Sequence, residues 1–124
     1  MPTQRVRKNQ QIKLFDEYVR KAIDSGLAII GETGKGFIYY TMVSQHSIPV
    51  VDMPKRIEAF HDALQGTFGS GSKIVEKFAA VKLYEELGLV FPERRDWTLS
   101  DYVENAKKML EEPTESRNSE GGVG

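Results

Sequence analysis

The stretch Ser72–Leu89, SKIVEKFAAVKLYEELGL, constrains the fold of this chain more than any other. At the helical period, Ile74, Phe78 and Val81 fall on one line, and Val75, Ala79, Leu83 and Leu87 on another. Lys73, Glu76 and Lys77 occupy the side on which Ala80, Tyr84 and Leu87 lie further along. The apolar stripe therefore swings round the axis as the helix advances. A helix of this kind meets different neighbours at its two ends, so it belongs at the centre of a bundle rather than on its surface. Gly88 stops it, and Leu89 is placed to fold back on Tyr84, as at a Schellman ending.

The remaining segments read as helices packed round this one. From Gln10 to about Ile30, one face carries Ile12, Phe15, Val19, Ala22, Gly26 and Ile29, with Leu14, Tyr18, Ile23 and Leu27 beside it. Gly26 in a helix interior costs about 1 kcal/mol relative to alanine, and implies a bend or a close neighbouring backbone. The run Gly31–Gly36, GETGKG, separates LAII from FIYYTMV. Aromatic and β-branched residues in Phe37–Val43 suit a strand, and two apolar runs about glycines suit a hairpin. A lone hairpin lacks the third strand it needs. The spacings Ile38/Met42 and Phe37/Thr41 favour a helix over about Glu32–Gln45.

Ser44–Met53 reads as a loop broken by Pro49, with Pro54 in the first turn of the next helix. Ile57, Phe60, His61, Leu64 and Phe68 then follow at helical spacing up to a Gly69 cap, and Gly69–Ser72 reads as a short flexible turn. The last helix opens at Thr98. Asp101 stands in the capping-box position, Trp97 and Tyr102 form a hydrophobic staple, and Leu99, Tyr102, Val103, Ala106 and Leu110 form the buried stripe. The fold class is therefore all-α: one domain of five helices over about residues 10–112, around the central helix at 72–88. A basic arm at 1–9 and an acidic tail at 113–124 are expected to be disordered.

The chain of 124 residues has 17 basic and 18 acidic side chains, so no overall field selects nucleic acid or anionic lipid. The charge is uneven: Arg5, Arg7, Lys8 and Lys13 open the chain without an acid, and Glu111, Glu112, Glu115 and Glu120 close it against Arg117. Cysteine is absent, which removes disulfides, thiolate metal sites and a thiol nucleophile. No apolar run approaches the ~20 residues of a membrane span and no secretory signal is apparent, so the expected location is cytoplasmic.

The motifs for chemistry are incomplete. In GETGKG the position five before Gly34 is Ile29 and the residue after Lys35 is Gly36, so both the wrap and the magnesium ligand of a phosphate loop are missing. His61 sits on an apolar stripe, where a partly buried structural histidine is the ordinary reading, and His46 has no metal-ligand partner at helical spacing. Gly69-Ser70-Gly71 is a linker and not a nucleophile elbow. The adjacent carboxylates Glu85–Glu86 and Glu111–Glu112 diverge on a helix as solvated groups. No catalytic residue, metal or cofactor is expected. Phe37, Tyr39, Tyr40 and Trp97 are the candidate interface residues, because aromatics anchor protein contacts, beside their ordinary reading as core.

The runs DEYVRKAIDSGLAIIGETGKGFIYY, RIEAFHDALQGTFGSGSKIVEKFAAVKLYEELGL and DWTLSDYVENAKKML span most of residues 14–110. With Ala22-Ile23-Asp24-Ser25-Gly26-Leu27, Phe68-Gly69, Ile74-Val75-Glu76 and Leu83-Tyr84 as its markers, this region resembles a family of small archaeal helical domains, the output domains of the Nitrosopumilus type. The resemblance implies a signal-output or interaction role and carries no catalytic residues. The expected function is thus a non-enzymatic protein-interaction or signal-output module whose partner is a second copy (a homodimer) or another protein. Two alternatives stand beside it. One is a nucleic-acid-binding domain whose arm supplies Arg5, Arg7 and Lys8; the helix pair at 54–69 and 72–88 resembles a helix-turn-helix, but its second helix has no arginine for base edges. The other is a small-molecule sensor with an apolar pocket between helices.

Overall fold

A computed structural model describes residues 10–111. These form five helices and no strand: α1 (Phe15–Leu27), α2 (Gly31–His46), α3 (Ile57–Phe68), α4 (Ser72–Leu87) and α5 (Leu99–Glu111). The expected all-α single domain is what is found. The expected arm at 1–9 and tail at 113–124 lie outside the described residues.

The first helix does not run unbroken from Gln10 to Ile30. A helical turn at 10–13 gives way at Leu14, and Ala28–Ile30 tightens into a 3₁₀ turn before Gly31 swings the chain round at φ 83°. Ile12 and Ile29, the two ends of the expected face, are consequently exposed, while Phe15, Val19, Ala22, Ile23 and Leu27 enter the core. The strand alternative for Phe37–Val43 fails: α2 includes the whole GETGKG run, and Ile38, Thr41 and Met42 form its buried face. Only Gly31 of that run turns the chain, so the other two glycines are helical, not part of an interhelical loop.

The connection after α2 is more ordered than a loop. Ser47 takes a left-handed conformation, and Val50–Lys55 coils into 3₁₀ turns that bury Met53 and Pro54. Pro54 therefore lies within this turn rather than opening α3, which starts at Ile57 after the non-helical Arg56. The reason is burial: Ile48 and Met53 both insert fully into the core, and the chain must stay coiled between them. Likewise Gly69–Gly71 is a 3₁₀ turn running directly into α4.

The α1–α4 pair is the most extensive helix contact. The two run antiparallel, because the Gln11 side-chain amide donates to the Leu87 carbonyl at 3.3 Å near one end, while Gly26 lies on Val75 and Ala79 near the other. A Cβ on Gly26 would stand 2.8 Å from the Val75 carbonyl oxygen and 2.9 Å from Ala79 Cβ. The close neighbouring backbone implied by the sequence is thus α4 itself. The end of α4 also follows expectation: Leu89 N–H donates to Tyr84 O at 2.9 Å and Gly88 N–H to Glu85 O at 3.2 Å, with Gly88 left-handed at φ 71°.

The last helix is docked by aromatic rings. Tyr102 stacks on Phe91 at 4.9 Å and meets Trp97 edge-on at 5.0 Å, which realises the staple, and Tyr84 of α4 meets both Phe91 and Tyr102 edge-on. Tyr84 OH donates to Tyr102 O at 2.6 Å and accepts from Asn105 Nδ2 at 2.9 Å. All five residues of the expected α5 stripe are buried.

Replacing Gly26 with alanine should destabilise the chain, because the obstacle is helix backbone that has no rotamer to yield. Overpacking typically costs about 1–3 kcal/mol and the gain in helix propensity offsets about 1 kcal/mol, so urea unfolding of Gly26→Ala should show a lowered midpoint. An alanine variant at Gly36, where the space is open, should instead hold or raise it.

Candidate functional site

Tyr39 and Trp97, two of the four candidate interface aromatics, are drawn into the protein. Tyr39 is half-buried, and its hydroxyl donates to Asp24 Oδ1 at 2.9 Å. Lys35 reaches the same carboxylate, 3.2 Å from Oδ1, and lies 3.4 Å from Glu32. The lysine of the glycine-rich run is therefore an anchor between α2 and α1 and has no part in a phosphate loop. Burial, then the hydrogen bond to Asp24, raises the Tyr39 phenol well above its ordinary value. Burial likewise raises Tyr84, with the bond from Asn105 opposing. Trp97 is half-buried in the staple with Arg94 over its ring at 5.7 Å. Phe37 and Tyr40 remain outward, 51% and 67% exposed. Arg5, Arg7 and Lys8 lie outside the described residues.

The central helix is not covered all round. Val75, Ala79, Leu83 and Leu87 are buried as one of its two lines predicts. The other line faces out: Ile74 is 64% and Phe78 44% exposed, and Val81 is half-buried. Of the polar residues placed on the side of Ala80, Tyr84 and Leu87, Glu76 is buried at 6%, while Lys73 and Lys77 are exposed. Glu76 starts a line continued by Ala80, Leu83 and Leu87, so its backbone position commits it to the interior.

Glu76 is accommodated there by donors from two other elements. Its Oε1 accepts the Leu99 N–H, at the start of α5, at 2.9 Å, and its Oε2 pairs with His61 Nδ1 of α3. A buried carboxylate needs such partners, since an unpaired one would be strongly disfavoured. The same helix start holds its expected capping contact, with Thr98 N–H donating to Asp101 Oδ2 at 2.9 Å. His61 is thus the satisfied, partly buried histidine expected from its stripe. That its partner is Glu76 could not be read from sequence, because the two stand on different helices. A cleft of about 310 Å³ opens over this pair, between the first turns of α4, α3 and the connector at 93–98.

Among the described residues no group of three or more histidine, aspartate or glutamate side chains is arranged to hold a metal, and no helix is long and apolar enough to cross a membrane. No protein-family model, no curated protein and no solved structure matches the chain.

Two measurements follow from these contacts. Tyr39 and Tyr84 hold their protons more tightly folded than unfolded, so their contribution is complete below about pH 10, where a free phenol ionises. It is lost as pH rises from there through the raised folded values; urea midpoints should fall above pH 10, and less steeply in Tyr39→Phe. Glu76→Ala, which strands the Leu99 N–H, should cost about 2–4 kcal/mol and lower the thermal midpoint far more than Glu85→Ala on the exposed side of the same helix.

Proposed function

We propose that the chain is a non-enzymatic protein-interaction or signal-output module that pairs with a second copy of itself through the outer face of α4. The observation that carries this reading is the outward line of Ile74 and Phe78 on the helix that is otherwise the centre of the core. Large apolar side chains lined up on a solvent-facing helix surface favour a partner that removes them from water. The charges along this helix favour a second copy. Lys73 and Lys77, the latter also paired with Glu93, stand in its first half beside the buried Glu76, and Glu85 and Glu86 share the single Lys82 in its second. Two such helices laid antiparallel bring the basic half of each against the acidic half of the other, and their helix dipoles also oppose favourably. The resemblance to archaeal output domains is in keeping with such a role.

Sedimentation equilibrium over a range of concentrations tests the proposal. The native chain should approach twice its 14.0 kDa mass, with Ile74→Glu/Phe78→Glu monomeric and equally helical. A native chain that stays at its single-chain mass at high concentration would overturn it. A dimer indifferent to the double substitution would move the interface elsewhere, with the exposed Phe37 and Tyr40 as the next pair to replace.

A further inference from the structure

We infer that the cleft above His61 and Glu76 is a binding site for a small phosphate monoester. The inference rests on how the polar groups there are committed. Glu76 engages His61 through Nδ1 alone. The other ring nitrogen, Nε2, has no partner among the described residues and is not one of their buried unpartnered atoms, while His61 itself lines the cleft. A carboxylate that fixes one nitrogen of an imidazole orients the other toward whatever enters.

The surroundings select the charge of the ligand. Lys77 is already paired with Glu93, and Glu76 is satisfied by its two donors. Of the remaining charged groups lining the cleft, Lys73, Arg94 and Arg95 have no carboxylate within ion-pair distance among the described residues, and Asp96 has no cation. Lys73, Arg94 and Arg95 against Asp96 and the buried Glu76 leave a surplus of positive charge that attracts an anion. Guanidinium forks match the oxygens of a phosphoryl group, and a lysine adds a point charge. The Trp97 ring, in the same wall, offers an apolar side for the organic part of an ester. A volume of about 310 Å³ is at the small end of ligand pockets, which suits a phosphoryl group with a small substituent.

The test is a titration of the ¹⁵N-labelled full chain with phenyl phosphate, inorganic phosphate and sodium chloride at matched ionic strength, read by amide and imidazole resonances. Phenyl phosphate should give saturable shifts at His61, Lys73 and Arg95, with inorganic phosphate weaker and chloride without effect. Arg95→Glu and Lys73→Glu, both on exposed side chains, should each weaken binding by about tenfold or more, the loss of one charge-assisted contact together with a new repulsion. Lys107→Glu, away from the cleft, should bind as the native chain does. Circular dichroism of each variant separates lost binding from lost fold, and the particle mass separates this site from the self-association face. Shifts that track ionic strength without saturating, or undiminished binding by Arg95→Glu, would overturn the assignment.

Discussion

Everything in this bundle is placed relative to the contact between α1 and α4, and that contact depends on a missing side chain. Gly26 lets the backbone of α1 approach the Val75 carbonyl and Ala79 more closely than any Cβ permits. The residue it meets on α4, Ala79, is itself small, which permits the same close approach from the other side. Close approach brings more of each helix surface into van der Waals contact, and interior packing is sensitive to such distances. With these two helices locked antiparallel, the side of α4 facing α1 is spent. α3 and α5 must use its remaining inner surface.

That remaining surface explains the most unusual group in the core. Glu76 lies where α3, α4 and the start of α5 converge. It joins them by accepting from His61 and from the Leu99 backbone. A carboxylate in the interior is costly alone, but here it supplies the acceptor that an N-terminal helix amide lacks. It thereby fixes where α5 begins, while Tyr84, Phe91 and Tyr102 fix the angle at which it lies. The aromatic cluster and the Glu76 pair thus divide the work between direction and register.

The same arrangement sets aside two surfaces with different chemistry. The outer line of α4 is apolar because the inner side of that helix is taken by α1, α3 and α5, leaving Ile74 and Phe78 outward. The cleft beside it is polar because helix ends meet there, and helix ends bring unsatisfied backbone groups and the side chains that serve them. Were the cleft to take a ligand and the outer line a second copy, as proposed, both events would involve the first turns of α4, a direct physical route between ligand and assembly.

Much of the fold was legible in the residues alone, for reasons that are local. The Schellman ending at Gly88, the Thr98–Asp101 cap and the Trp97–Tyr102 staple depend on neighbours within a few positions, so spacing was enough to find them. The α5 stripe followed from its period, and Gly26 pointed to a bend or a close backbone without deciding between them or naming the partner. Tertiary structure decided what long-range partners impose. It brought the Tyr39 hydroxyl onto Asp24, coiled Val50–Lys55 to bury Met53, and turned Glu76 inward and Ile74 and Phe78 outward. A helix wheel ranks the sides of a helix by average polarity. It does not know that a histidine fifteen positions away will come to meet one glutamate, and that meeting is what makes a charged side chain acceptable inside.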